Sequence, residues 1–136
     1  MKKLSKNELS QLGDSFLNLA QIIGDLRIEH YHQLSPKMKD RIRLQHKTLI
    51  DYSDTFYAAS TNLIVEDATV VLTKIQQITT GLKESVVKVK KVQHLLNTIG
   101  AATRIGAAII EKQPFVITAS LENLINSFEK LKTGSK

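Results

Sequence analysis

Leu9, Leu12, Phe16, Leu19, Ile23, Leu26 and His30 follow one another in alternating steps of three and four. That spacing keeps one narrow seam on one side of a helix, turned toward one partner helix, as in a coiled coil or a long-helix bundle. Similar seams recur downstream, so the chain is built for helix-on-helix packing. The fold expected is all-α: an antiparallel four- or five-helix bundle with long, coiled-coil-like helices. A chain of 136 residues suits one such domain, with a core large enough to need no staples.

Helix limits follow from the punctuation. Ser5 with Glu8 three residues on has the capping-box pattern, in which each side chain satisfies an amide at the helix start. Helix one is predicted over about 6–34. Ser35-Pro36 then supplies an N-cap and a proline at the first helical position, so the turn into helix two, about 36–60, is tight. The stripe Met38, Ile42, Gln45, Leu49, Tyr52, Phe56 and Leu63 fails beyond Leu63. A second stripe, Ile64, Ala68, Val71, Ile75, Ile78 and Leu82, is rotated from it by roughly 90°. Either the helix breaks near Ser60-Thr61-Asn62, or one long helix changes its buried face there. A helix over about 64–80 stops at Thr79-Thr80-Gly81, or Gly81 is a tolerated mid-helix glycine. One helix running through 64–112 is the alternative. Val92, Leu95, Ile99, Ala102, Gly106 and Ile109 define a helix over about 83–112, ended by Gln113-Pro114. Ile117, Leu121, Leu124, Ile125, Phe128 and Leu131 define the last, over about 114–132.

Two stretches read partly as strand. Residues 85–92 are rich in β-branched side chains, and Leu63-Ile64-Val65 with Val70-Val71-Leu72 would flank Glu66-Asp67 as a short hairpin. Glu-Asp is a poor hairpin turn, and little else punctuates the chain for turns.

Charge is uneven. The net +6 comes from two basic patches, 35–50 and 81–96, on either side of an acidic middle. Lys37, Lys39, Arg41, Arg43 and Lys47 flank the apolar stripe of helix two, and Lys88, Lys90 and Lys91 lie in the second patch. These eight are candidate contacts for an anionic surface, arranged like those of a helix lying on a membrane, and equally like those of an ordinary amphipathic helix. Nucleic acid is the weaker reading: no aromatics interleave the basic residues for base stacking.

The segment Ile99–Ile110 carries a small-x-x-x-small pair, Ala102 and Gly106, which lets two helices approach closely. With Ile109 and Ile110 before the Glu111-Lys112 tip, and Phe115 and Ile117 beyond it, it forms either a tightly packed core contact or a membrane-inserting hairpin over 95–125. Each arm is shorter than the ~20 residues of a spanning helix, and Arg104 is costly in lipid.

Chemical motifs are sparse. Zero cysteines exclude disulfides and thiolate zinc sites. Glu29 and His32 form one Glu-x-x-His unit, but the di-iron bundle site uses two, with further glutamates. His30 lies in the first seam, as a buried polar partner or a seam end, while His46 and His94 read as solvated. Asp51 and Asp54 flank Tyr52 without a nucleophile or a phosphate loop to complete a site. No metal or cofactor is expected. No secretory signal or spanning segment is read, so a cytoplasmic location, or a peripheral one on a membrane, is expected. The function expected is non-enzymatic: an interaction or scaffold protein working through helix–helix contacts with a protein partner or with itself. Exposed apolar residues outside the seams, such as Leu17 and Ile28, favour that reading. A membrane-active protein inserting its 95–125 hairpin is the alternative.

Overall fold

The computed structural model describes residues 2–59, 64–65, 68–84 and 91–133. Five α-helices carry the fold: α1 (Lys6–Glu29), α2 (Pro36–Ala58), α3 (Ala68–Glu84), α4 (Val92–Ile110) and α5 (Pro114–Thr133). They pack in antiparallel pairs, α1 on α2 and α4 on α5, with α3 against α1 and α5, and α2 against α4. Two residues at the amino end, β1 (Lys2–Lys3), pair antiparallel with β2 (Ile64–Val65), Lys2 opposite Val65 and Lys3 opposite Ile64. The architecture is an all-α bundle.

Both expected caps form. Ser5 Oγ accepts from the Glu8 amide at 3.1 Å, and Glu8 Oε1 accepts from the Ser5 amide at 2.8 Å. Ser35 Oγ accepts from the Met38 amide at 3.1 Å, with Pro36 first in α2. The first helix ends earlier than its seam suggests, at Glu29. His30 caps it, donating its amide to the Leu26 carbonyl, and a 3-10 turn over Tyr31–Gln33 leads into α2. His30 is therefore a helix-end residue whose Nδ1 lies 3.2 Å from Gln33 Oε1, and not a buried polar partner in the seam.

Other boundaries differ too. Helix α2 ends at Ala58; 60–63, including Leu63, lie outside the described residues. The run 64–112 is not one helix, since Ile64–Val65 belongs to β2 and α3 begins at Ala68. Val70-Val71-Leu72 is the first turn of α3 rather than a strand, and β2 pairs with β1 instead. Gly81 does not stop α3, which continues to Glu84. Residues 85–90 of the strand-like stretch lie outside the described residues, and Val92 opens α4. Helix α4 stops at Ile110, with Lys112 at φ 59° turning the chain toward Pro114.

The seams meet in one core. Leu9, Leu12, Phe16, Leu19, Ile23 and Leu26 of α1 are buried with Ile42, Leu49 and Phe56 of α2. Val71, Ile75, Ile78 and Leu82 of α3 and Ile117, Leu124 and Leu131 of α5 join them. All six seam positions of α4 are buried. Cross-links fix the register. Ser53 Oγ donates to the Gly13 carbonyl at 2.8 Å between α2 and α1, Gln45 Nε2 to the Leu96 carbonyl at 3.2 Å between α2 and α4, and Lys91 Nζ to the Leu131 carbonyl at 2.9 Å between the start of α4 and the end of α5.

Candidate interaction surface

The α1–α2 hairpin has one face in the core and one facing outward. Its register is read from two contacts across the pair. The Tyr57 ring packs on Gly13 and its hydroxyl donates to Asp14 Oδ1, while the His46 ring lies against Gly24. Residue pairs whose numbers sum to about 70 therefore sit side by side. On the outer face of α1, Leu17 is 45 % and Ile28 is 76 % exposed. They are eleven residues apart, a net rotation of ~20° at 100° per residue, so both belong to one stripe. An exposed tyrosine stands at each end, Tyr57 (44 %) beside Leu17 and Tyr31 (41 %) beyond Ile28.

The two tyrosines sit in opposite fields. At Tyr31, Lys39 Nζ lies 3.8 Å and Arg27 Cζ 5.2 Å from the ring centroid, a cation–π cluster. Beside it an open cleft of about 210 Å³ is lined by Gly24, Arg27, Ile42, Arg43 and His46. Arg27 Nε is buried there and, among the described residues, has no hydrogen-bond partner. At Tyr57 the neighbours are carboxylates. The hydrogen bond to Asp14 holds the phenol in its protonated form and raises its pKa, with burial and then the charges of Asp14 and Asp54 adding in the same direction and Ser53 opposing. Among the described residues the ion pairs are Lys47–Asp51 at 3.7 Å and Lys132–Glu129 at 4.0 Å. Arg27, Lys39 and Arg43 at one end, and Asp14 and Asp54 at the other, belong to neither.

The residues singled out from the sequence fall into distinct groups. Ala102, Gly106, Ile109 and Ile117 are buried in the bundle, Ile110 is half-buried, and Phe115 is 91 % exposed at the α4–α5 turn. The small-x-x-x-small pair does not serve a bare backbone approach. The space over Gly106 is filled by the rings of Phe16 and Tyr52. Among the described residues no helix is long and apolar enough to cross a membrane.

Of the basic residues, Lys39 and Arg43 lie on the outer hairpin face and Lys37 is exposed. Arg41 is tied to α4, its Nη2 donating to Asn97 Oδ1 at 3.1 Å. Lys47 pairs with Asp51, and Lys91 is held by α5. Lys88 and Lys90 lie outside the described residues. His46 lines the open cleft and is half-buried, its ring against Gly24. Glu29 and His32 are both exposed, and among the described residues no group of three His, Cys, Asp or Glu is placed to hold a metal ion.

Sequence spacing missed Arg27, Tyr31, Asp14 and Tyr57. Their only signal was the pairing of α1 with α2, which sets which surface residues become neighbours. No protein-family model, curated protein or solved structure matches the chain.

Proposed function

We propose that this protein is a helical interaction module without catalytic activity, and that it works through helix contacts made by the outer face of the α1–α2 hairpin. The observation that carries this reading is the exposure of Leu17 and Ile28 on one stripe of α1 between two exposed tyrosines. Single exposed apolar residues are ordinary. Four exposed on one two-helix face favour contact with another macromolecule, which would cover them. Aromatic and aliphatic side chains with charged groups among them also fit the composition of protein interfaces.

The reading is tested with Leu17→Ser/Ile28→Ser. In an extract of the producing cell, the wild-type chain should elute well above its own 15.2 kDa, and the double variant should shift toward that mass. Both should unfold at the same temperature, because neither side chain belongs to the core. A wild-type chain eluting as a free monomer, or a variant eluting with the wild type, counts against the reading.

A further inference from the structure

The outer hairpin face is complementary to itself. Leu17 and Ile28 on α1 are eleven residues apart, and so are Arg43 and Asp54 on α2. Each pair spans ~16 Å at 1.5 Å per residue. The midpoint of the first falls between residues 22 and 23, and that of the second between 48 and 49. Those levels lie side by side in the α1–α2 register set by Gly13 with Tyr57 and Gly24 with His46. A single line across both helices therefore bisects both pairs. One end of the face carries Asp14 and Asp54 near Tyr57, and the other carries Arg27, Lys39 and Arg43 near Tyr31, three cations against the two exposed carboxylates of Glu29 and Asp40.

We infer that a second copy of this chain docks on this face about a two-fold axis along that line, α1 antiparallel on α1 and α2 antiparallel on α2. The inference rests on the reading of this face as an interaction surface and names its occupant. The rotation sets Leu17 of each copy against Ile28 of the other, and Arg43 of each against Asp54 of the other. It also brings the acidic Tyr57 end of each copy over the cationic Tyr31 end of its mate. An isologous contact requires such a match of a patch with its own rotated image. The pairing gives ion-pair partners to charges that, among the described residues, form no ion pair within one copy. The parallel alternative stacks like charge on like and is disfavoured. From Asp14 to Tyr31 the face is ~25 Å long, and two helices 8–10 Å apart make it ~20 Å wide. That is on the order of 500 Å² per copy, the size of a transient contact. The dimer is salt-sensitive because its charges are at the rim.

Sedimentation equilibrium on the purified chain tests this, with circular dichroism as the check on folding. The wild type should pass from monomer to dimer with concentration, and the dimer should weaken as salt rises. Arg43→Glu alone and Asp54→Lys alone should each lower association at least tenfold, since each places two like-charged pairs across the axis. An equal mixture of the two variants should recover it. The glutamate introduced into one chain then faces the lysine introduced into the other, and the native pair is kept on the opposite side. Cysteine placement gives a second readout in a chain that has none. Mixed Leu17→Cys and Ile28→Cys chains should close an intermolecular disulfide when diamide takes up the two electrons and two protons, and neither variant should do so alone. A wild-type chain that stays monomeric throughout overturns the inference. So does a mixture that fails to recover association, or a disulfide formed by Leu17→Cys alone. Should the wild type instead associate only with a different protein, the two-fold pairing falls and the hairpin-face reading stands.

Discussion

The tip of the Phe16 ring occupies the space above Gly106: a Cβ built on that glycine would lie 2.8 Å from Phe16 Cζ and 3.0 Å from Tyr52 Cδ2. Phe16 cannot easily retreat. Its ring packs edge-on to Tyr52 at 6.2 Å and beside Phe56 at 5.4 Å, and it is fully buried. The glycine is thus the seat on α4 for an aromatic cluster built by α1 and α2.

Alanine substitution at two glycines should therefore give opposite signs. Gly106→Ala gains up to ~1 kcal/mol of helix propensity but overpacks the ring cluster, which costs ~1–3 kcal/mol. Net destabilisation is expected, and Gly106→Leu should be worse. At Gly24 an added Cβ meets His46 at 3.5 Å, an ordinary contact, so Gly24→Ala should stabilise by ~0.5–1 kcal/mol. Urea unfolding of both variants checks the pair.

Much of this fold was legible along the chain, and the rest was not, for a local reason. The three-four spacing of the first seam and the α4 heptads marked the buried faces, and Ser5/Glu8 and Ser35-Pro36 marked two helix starts, because these signals act within one or two turns. Gly81 reads equally as a helix stop and as a mid-helix glycine, and it is the latter. Its sequence neighbours reveal conformational freedom, but they do not reveal Phe128 of α5, whose Cζ would lie 2.5 Å from an added Cβ. The proposed interaction face was hidden for the same reason. Leu17 and Ile28 could be seen as surplus apolar residues, but their alignment with Arg43 and Asp54 exists only once α1 and α2 are paired.

Tyr57 should titrate late. The hydrogen bond to Asp14, followed by burial and the nearby carboxylates, raises its folded-state pKa above the ordinary value of about 10. The stabilisation linked to that shift is full below the unfolded value and is lost as pH rises through the folded one. Ultraviolet absorbance should show two tyrosinates forming late, those of Tyr52 and Tyr57, and Asp14→Ala should bring one of the two back toward the ordinary value. Tyr57→Phe identifies the ring, because Tyr52 is also raised, by burial first and by Glu111 second.

The proposed contact with protein rather than lipid sets an expectation for vesicles. The apolar residues of α4 are committed to the core, so the chain should release no dye from neutral or anionic vesicles at low salt. Flotation with anionic vesicles that disappears on charge reversal at Lys39, Arg43 and Lys47 would reassign the cationic end of the face to a membrane surface. Each such residue contributes ~1 kcal/mol near anionic lipid, so the loss would be easy to detect.

Photo-crosslinking in the producing cell tests the working surface most directly. A photoreactive side chain is placed at Ile28 on the hairpin face, at Phe115 on the α4–α5 turn, and at the exposed Thr80 of α3 as a control. The expected result is discrete protein adducts from position 28 and none from position 80 or 115. Adducts from 115 with none from 28 would contradict it, moving the contact from the α1–α2 face to the end of the bundle.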